Sequence, residues 1–343
     1  MKLSVIVPAC QVEAYLPACL EALLDQDMGD YEIICVDDGS TDRTGEIARD
    51  YARRYPQVTV ICQPNGGLSA ARNAGLRAAS GAYVYFMDAD DVLARGVLGP
   101  LCRLAAEEGL DQLLFDYARF EDGAAPPLSA GVDTGRLRRY RDPLEMRRDP
   151  AVPAWRTAWN YLIRRAVLEE YGLRFPVGAL FEDAEFNFWL DRCAGRCGYL
   201  DQKLYGYRRR ADSIVATFMD DSRFPGYIQG RLGLAESHLG RLRAFRAGRA
   251  PRLRVPVTEA ELETRLIDEV QGILNRLLAK GDRALLERTL EELRDRGLYP
   301  YPLRWRRLVR REDLTKRAVD AASFLYPAAW YLRLWVRLRT RRT

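Results

Sequence analysis

Histidine is nearly absent from this sequence, since His238 is the single histidine in 343 residues. A histidine-based catalytic triad and a metal site built from several histidines are therefore disfavoured. Cysteine is also scarce, and an odd count of seven without an export signal indicates reduced thiols in a cytosolic chain. Cys193 and Cys197 are too few and too isolated for a zinc site. The chemistry of this chain is therefore expected to depend on carboxylates.

Long apolar runs are lacking as well. No uninterrupted stretch approaches the roughly 20 apolar residues that a membrane-spanning helix needs, and the apolar start of the chain is too short for a signal peptide. With 48% hydrophobic and 29% charged residues, the composition is that of an ordinary globular protein and excludes a disordered chain. The length predicts about two domains.

The net charge of +5 conceals an uneven distribution. Residues 303–343 carry 12 lysines and arginines against 3 acidic residues, whereas the rest of the chain carries 41 against 45. A basic end on a slightly acidic chain is typical of contact with a polyanion or a membrane surface. Because the main body is acidic, we expect no nucleic-acid partner.

The first hundred residues alternate between predicted strands and helices. Strands are predicted at residues 2–7, 31–36, 58–62 and 83–87, with helices between them at residues 13–25, 42–55 and 68–80. Strands separated by helices of this length indicate right-handed crossovers. The predicted fold class is therefore α/β and Rossmann-like, a mostly parallel sheet with helices on both faces.

Acidic residues follow the second and the fourth of these strands. Asp37 and Asp38 stand after the second, and Asp88, Asp90 and Asp91 stand after the fourth. Taken singly, such residues are turn formers. Together they lie at the carboxyl edge of one sheet, where ligands bind, and they repel one another unless a cation lies between them. Carboxylates without nearby cysteine or histidine suit Mg²⁺ or Mn²⁺ combined with substrate phosphates.

Four blocks of the sequence resemble the family 2 glycosyltransferases, bacterial enzymes of the GT-A fold that use nucleotide sugars. The blocks are residues 4–8 (SVIVP), 34–42 (ICVDDGSTD), 65–75 (NGGLSAARNAG) and 86–91 (FMDADD), and a looser likeness continues through residues 159–162 (WNYL) and 181–186 (FEDAEF). The resemblance implies a nucleotide-sugar-binding half at residues 1–115 and an acceptor-binding half at residues 116–217. A helical C-terminal region would follow at residues 218–343.

The resemblance also implies which residues surround the nucleotide. The backbone near Pro8 and the carboxylate of Asp38 would hold the base and the ribose. Glu13 matches an acidic position that lines the same pocket, although an acid at the N-terminus of a helix explains it equally well.

Further residues are assigned to the diphosphate by the same resemblance. Asp88 and Asp90 would flank the sugar diphosphate and its metal ion, with Asp90 and Asp88 as the metal ligands. Arg72 or Asn73 would lie near the phosphates or brace the loop. The metal ion would be Mn²⁺ or Mg²⁺.

In the second half, the resemblance assigns Asp183, preceded by Glu182, as the general base. The alternative is a cluster of acids at a helix N-terminus, which the helix dipole favours. Arg210 belongs to a segment similar to the family's loop over the donor diphosphate, where a guanidinium could bind phosphate through two nitrogens. For Arg208 and Arg209, a solvated basic turn is almost as good an explanation.

The resemblance and the carboxylates together predict a metal-dependent, inverting glycosyltransferase. Its donor would be a nucleotide sugar, with UDP the commonest nucleotide in the family, and GDP and dTDP stay open. Its acceptor would be a hydroxyl of a saccharide or lipid-linked saccharide, as in bacterial cell-surface polysaccharide synthesis. A single base without a carboxylate nucleophile fits direct displacement with inversion.

The alternative is a non-catalytic, membrane-peripheral scaffold that keeps the GT-A fold. A dinucleotide dehydrogenase is disfavoured because residues 8–11 (PACQ) lack the glycine-rich fingerprint.

Beyond residue 218 the family pattern ends. Residues 228–248 and 258–297 show the periodicity of amphipathic helices, which would pack on the catalytic domain or on a second copy in a homodimer. Residues 321–332 (AASFLYPAAWYL) are uncharged and flanked by basic residues. This tail suits in-plane attachment to an anionic membrane surface, with a buried terminal helix as an equal alternative. Attachment would place a cytoplasmic protein on the inner face of the cytoplasmic membrane.

Overall fold

A computed structural model describes residues 2–26, 28–154, 157–210, 223–249 and 251–299. The chain divides into two compact units. The first comprises residues 1–230 and 251–257, and the described part of the second lies within residues 231–249 and 258–299. The division into a donor and an acceptor half at residue 115, with a boundary at residue 217, stays a prediction.

The first unit alternates strands and helices over most of its described length. Its strands are β1 (Leu3–Ala9), β2 (Tyr31–Asp38), β3 (Val58–Gln63), β4 (Tyr83–Phe86), β5 (Val92–Leu93), β6 (Gln112–Glu121), β7 (Leu137–Tyr140), β8 (Tyr161–Arg164) and β9 (Cys197–Arg209). Its helices are α1 (Leu16–Leu24), α2 (Thr44–Arg54), α3 (Leu68–Ala78), α4 (Leu98–Glu107), α5 (Pro143–Met146), α6 (Arg165–Glu170) and α7 (Glu182–Cys193). Short 3₁₀ turns lie at Thr134–Arg136 and Ala158–Asn160.

The strands of the described chain form one mixed sheet in the order β3-β2-β1-β4-β8-β6-β9-β5, with β7 paired to β9. β1 is parallel to β2 and to β4, and β2 is parallel to β3. β8 is antiparallel to both β4 and β6, whereas β9 is parallel to β6. The parallel arrangement predicted from the sequence describes the first four strands, and the remaining strands make the sheet mixed.

β1 is buried at every position, as expected for a central strand covered on both faces. The predicted end of this strand at Pro8 is wrong, since Pro8 lies inside β1 opposite Val36. Pairing between β1 and β4 already ends at Ile6 and Phe86, so the missing N–H of Pro8 lies beyond that ladder. The carboxyl ends of β2, β1 and β4 thereby lie side by side at one edge of the sheet.

Apolar periodicity sets the position of α1 on the sheet. Leu16, Leu20 and Leu23 are buried, and they lie in the same core cluster as Val5 of β1. Each buried leucine contributes roughly 1.5–3 kcal/mol of hydrophobic free energy. The helix begins at Leu16 and not at residue 13, and Pro17 occupies its first turn, where proline is well tolerated.

Helices form the described part of the second unit. They comprise most of α8 (Phe224–Arg246), which starts in the first unit, together with α9 (Glu259–Lys280) and α10 (Arg283–Asp295). Thr258 and Glu261 form a capping box at the start of α9, and Gly281 ends it in the left-handed conformation. Asp282 then caps α10 by accepting a hydrogen bond from the Leu285 N–H. Residues 258–297 are therefore two helices.

None of the described helices is long and apolar enough to cross a membrane. The basic segment 303–343, with its aromatic run at residues 321–332, lies outside the described residues. The same holds for residues 211–217, which follow Arg210.

Candidate active site

Three aspartates occupy the turn that follows β4. Asp91 is buried, and its carboxylate accepts hydrogen bonds from the Tyr205 hydroxyl and from the Arg208 N–H. Asp91 thereby fixes the turn against β9, and Asp88 and Asp90 keep 23% and 20% of their side chains exposed. Burial, together with the negative charges of Asp90 and Asp88, raises the pKa of Asp91 well above its usual range. The turn thus has one structural carboxylate and two that solvent can reach.

Arg72 connects this turn to a distant part of the chain. Its Nη2 donates to Asp88 at 2.8 Å, and its Nη1 donates to Glu182 at 2.6 Å. The guanidinium is almost completely buried and lies 5.2 Å above the ring of Phe175. Burial opposes its charge, but Asp88 and Glu182 more than compensate and raise the pKa of Arg72 above its usual value. Arg72 therefore joins the Asp-x-Asp turn to the start of α7.

Arg210 reaches the same turn from the end of β9. Its Nε lies 2.8 Å from Asp90 in an ion pair, and its guanidinium lies 5.2 Å from the ring centre of Tyr15. Burial and the charge of Asp88 raise the pKa of Asp90, whereas Arg210 lowers it. A guanidinium therefore stands beside the Asp-x-Asp carboxylates, where a diphosphate would also need positive charge.

Asp183 lies in the first turn of α7, beside the Glu182 that Arg72 holds. Its Oδ1 accepts a hydrogen bond from the Ala184 N–H at 2.8 Å. Burial raises the pKa of Asp183 to about 7 and the charge of Glu182 adds to this rise, although Arg72 and the Ala184 N–H act against it. A carboxyl group that titrates near neutrality suits a general base.

The residue before α7 has an unusual backbone. Phe181 has φ 61° and ψ 39°, the left-handed conformation that a bulky side chain rarely adopts. Such a conformation costs of order 1–3 kcal/mol and is typical of functional sites. It sets the direction in which Glu182 and Asp183 enter the helix.

Asp38 faces the loop before α3. Its carboxylate accepts hydrogen bonds from Gln63 Nε2 at 2.7 Å and from the N–H groups of Gly66 and Gly67 at 2.9 and 2.8 Å. The adjacent Gly39 has φ 70°, and a Cβ there would lie 2.6 Å from the Asn65 nitrogen. Asp38 therefore connects the end of β2 to the loop before α3. Because a carboxylate can accept about four hydrogen bonds, one further donor can still be accommodated.

Asn73 braces the backbone of Phe175, and its place near the donor phosphates stays a prediction. Its Nδ2 donates to the Phe175 carbonyl at 2.8 Å, and its Oδ1 accepts from the Phe175 N–H at 2.9 Å. The nitrogen and the oxygen of this buried side-chain amide therefore both bond to the backbone of Phe175. Asn73 positions Phe175, whose ring lies under Arg72.

Glu13 and Pro8 also have structural environments. The Glu13 carboxylate accepts a hydrogen bond from the Arg43 N–H at 2.8 Å, so it stabilises the start of α2. The helix whose N-terminus Glu13 stabilises is therefore α2 and not α1, which begins only at Leu16. Pro8 is buried in β1. Their roles in nucleotide binding stay predictions.

Asp88 and Asp90 are the two carboxylates of this turn that a divalent cation could reach. Within the described part of the chain, no group of three or more histidine, cysteine, aspartate or glutamate side chains could hold a metal ion. Mg²⁺ and Mn²⁺ often use one or two carboxylates and take their other ligands from phosphates and water. The charge of Asp88 raises the pKa of Asp90, a repulsion that a cation would relieve. The residues present therefore fit such an ion together with a diphosphate.

Sequence reasoning missed several residues of this site. Arg208 donates to Asp122 at 2.8 Å and to the backbone carbonyl of Asp90 at 2.8 Å, so it is an anchor and not a solvated turn. Tyr15 donates to the same Asp122 at 3.1 Å. No spacing in the sequence indicates these contacts, because they join residues 86 to 118 positions apart.

The first half of the chain matches a known protein family. The model of the family described as glycosyl transferase family 2 matches residues 4–172. EpsJ of Bacillus subtilis (strain 168), an uncharacterized glycosyltransferase, is 36% identical over 215 residues, or 62% of each chain. The glycosyltransferase GlyA of Streptococcus pneumoniae serotype 4 is 32% identical over 219 residues, which are 62% of this chain and 31% of GlyA. The matched region thus spans less than two thirds of the length of these relatives.

Solved structures share the fold. The crystal structure of Staphylococcus aureus TarS 1–349 in complex with UDP-GlcNAc superimposes with a TM-score of 0.55 at 24% identity, over 79% of this chain and 72% of TarS. At this identity the likeness establishes the fold alone, and it confirms the GT-A architecture predicted from the sequence. Residues 4–172 of this chain therefore match glycosyl transferase family 2, and the chain has the GT-A fold.

Proposed function

We propose that this chain transfers a sugar from a nucleotide-diphosphate donor to a hydroxyl of a saccharide or lipid-linked saccharide. The family of residues 4–172 supports the reaction class. The observation that carries the proposal is the Arg72 guanidinium, which bonds to both Asp88 and Glu182. It joins Asp88, which would meet the donor, to Glu182, the neighbour of the Asp183 that would meet the acceptor.

The donor is proposed to be a UDP sugar. The TarS fold binds UDP-GlcNAc in its crystal structure, and UDP is the nucleotide that the family resemblance favours. Asp38 retains capacity for one donor from the ribose or the base, next to the glycine turn that it braces. Arg210 provides a guanidinium for the diphosphate.

Mn²⁺ or Mg²⁺ would be held by Asp88 and Asp90. When bound, the ion would neutralise charge that develops on the diphosphate leaving group. Arg210, whose Nε pairs with Asp90, would stabilise the same negative charge. Arg72 keeps Asp88 in position for this task.

Asp183 would act as the general base of a single displacement. The acceptor oxygen attacks the anomeric carbon, the bond from that carbon to the diphosphate oxygen breaks, and the hydroxyl proton passes to the Asp183 carboxylate. Attack opposite the leaving group inverts the anomeric carbon. The pKa of Asp183, about 7, leaves a substantial ionised fraction of this carboxyl group at neutral pH, and its carboxylate is more basic than that of an ordinary aspartate.

Release of UDP from UDP sugars tests this function. We expect the full chain with Mn²⁺ to hydrolyse at least one UDP sugar slowly without an acceptor, and EDTA to stop the release. Asp90→Ala is expected to weaken metal-dependent UDP affinity by at least about tenfold, or 1.4 kcal/mol, in calorimetry. Asp50→Ala, an exposed carboxylate on α2, is the matched control. Absence of release and of binding across a panel of nucleotide sugars would contradict the proposal, and unaltered affinity in Asp90→Ala would remove the metal role of Asp90.

A lipid-linked acceptor would place the protein on the cytoplasmic face of a membrane. We propose that the basic segment 303–343, which lies outside the described residues, contacts anionic lipid there. A chain that ends at Val309 is therefore expected to move from the membrane to the supernatant fraction of cell lysates, whereas the full chain pellets. Equal pelleting of the two chains would show that this segment is not the anchor.

A further inference from the structure

A second concave site lies in the first unit, at the sheet edge opposite the candidate active site. It is a cleft of about 460 Å³ lined by Glu108, Arg139, Tyr140, Arg141, Arg196 and Arg254. Tyr140, the last residue of β7, pairs with Cys197, the first residue of β9. Arg208 and Arg210 of the active site stand at the other end of β9, whose 13 residues extend for roughly 40 Å. The cleft is therefore too far away to take part in binding the donor diphosphate.

The charge of this cleft is strongly positive, because four guanidinium groups face one carboxylate. Arg139 already neutralises Glu108, since its Nε and Nη2 donate to the two carboxylate oxygens at 2.8 and 2.6 Å. Arg141 pairs with Glu145 at 3.1 Å in an exposed contact that is worth little energy. The remaining cations are Arg196 and Arg254.

Among the described residues, neither Arg196 nor Arg254 forms an ion pair within 4 Å of a carboxylate, although Arg139 and, more weakly, Arg196 lower the pKa of Glu108. Arg196 donates to the backbone carbonyl of Glu108 at 3.1 Å. The Arg254 guanidinium lies against Gly195, where a Cβ would stand 2.6 Å from Arg254 Cζ. The neighbouring Val255 N–H donates to the Arg192 carbonyl at 2.9 Å, which holds this segment at the C-terminal end of α7. The backbone therefore places both guanidinium groups at the cleft.

Helix capping explains only part of this arrangement. A cation at the C-terminal end of α4 is favourable, and Arg196 has that position. Capping does not require Arg139 and Arg141 from the end of β7 to meet Arg254 from a distant segment at the same place. Gathered guanidinium groups repel one another, and a doubly charged anion relieves that repulsion while accepting paired N–H donors.

We propose that this cleft binds a phosphate group of a ligand other than the sugar donor. A volume of about 460 Å³ admits a phosphate or diphosphate ester. Arg196 and Arg254, which form no close ion pair among the described residues, supply positive charge, and Arg139 and Arg141 supply further donors at the rim. The phosphate belongs either to a soluble phosphorylated molecule or to an anionic lipid headgroup.

Titration with inorganic pyrophosphate tests the cleft. Calorimetry at low ionic strength with EDTA compares R196Q/R254Q with R77Q/R103Q, which removes the same charge from exposed positions on α3 and α4. Every chain in this titration also carries Arg210→Gln, so that the active-site guanidinium does not contribute. We expect the dissociation constant to rise at least tenfold in R196Q/R254Q and to stay within twofold in R77Q/R103Q. Equal affinities would overturn the proposal.

Binding of UDP with Mn²⁺ separates this site from the active site. With Arg210 retained, R196Q/R254Q is expected to bind UDP as tightly as the unaltered chain. Joint loss of UDP and pyrophosphate affinity would overturn the proposal, because the two sites would not be independent.

Vesicles identify the source of the phosphate. R196Q/R254Q and R77Q/R103Q are mixed with phosphatidylglycerol or phosphatidylcholine vesicles, and residues 300–343 are the same in both. A lipid headgroup is supported if R196Q/R254Q cosediments more weakly than R77Q/R103Q with phosphatidylglycerol vesicles but equally with phosphatidylcholine vesicles. Equal cosedimentation together with lost pyrophosphate affinity supports a soluble phosphorylated ligand.

Discussion

Replacing Asp183 by asparagine is expected to lower the rate of sugar transfer by about 10²–10⁴-fold, the usual contribution of a general base. Asparagine has nearly the same shape, and its side-chain oxygen can still accept the Ala184 N–H. It cannot accept a proton from the acceptor hydroxyl. The expected result is therefore a large fall in kcat from steady-state kinetics, with UDP-sugar affinity in calorimetry nearly unchanged.

The pH dependence of the rate provides a second measurement on Asp183. Burial and the charge of Glu182 raise its pKa to about 7, so the carboxyl group is largely protonated below neutrality. Only the ionised form is a base, and we expect kcat to fall about tenfold per pH unit below 7 and to be level above 7. The residual activity of Asp183→Asn is expected to lack this acidic limb.

Asp50→Asn is the matched control for this substitution. Asp50 lies exposed on α2, where its ion pairs with described residues are those with the neighbouring Arg53 and Arg54, both in exposed contacts. Its variant is expected to keep the wild-type rate and the wild-type pH profile. A transfer rate in Asp183→Asn equal to that of Asp50→Asn would leave Asp183 as an acid that merely stabilises the start of α7.

The edge of the sheet that carries the site could be predicted from the sequence, because strand ends are local features. β4 ends where the apolar run stops, and Asp88 and Asp90 follow at once. The parallel register of β1 with β2 and β4 then brings the loops after these strands to one edge. Family likeness added Asp183, which lies in the first turn of α7.

The partners of these residues could not be predicted, because they depend on tertiary packing. Arg72 and Glu182 are 110 positions apart, and Asn73 and Phe175 are 102 apart. A sequence motif indicates that a polar residue has a role, but does not tell whether its hydrogen bonds go to a ligand or to the backbone. Asn73 illustrates this limit, since its Nδ2 and its Oδ1 both bond to the backbone of Phe175.

Replacing Arg72 by methionine is expected to destabilise the protein by roughly 3–5 kcal/mol, the usual cost of removing one partner from a buried ion pair. Methionine keeps much of the side-chain volume but leaves Asp88 and Glu182 facing each other without a cation. Glu182 has 10% of its side chain exposed and cannot regain its hydration in place. The free energy of unfolding in urea measures the loss. Arg77→Met is the control on the same helix, because Arg77 is exposed, and we expect a change within about 0.5 kcal/mol there.

A second substitution separates the stabilising role of Arg72 from its role in the site. In Arg72→Met/Glu182→Gln one of the two uncompensated charges is gone, so part of the lost stability is expected to return. The transfer rate is not expected to return, because Asp88 still lacks the guanidinium that holds it for the diphosphate. If the double variant regained both stability and rate, Arg72 would serve only to compensate Glu182. If it regained neither, the loss would come from the packing of Arg72 on Phe175, which methionine does not reproduce.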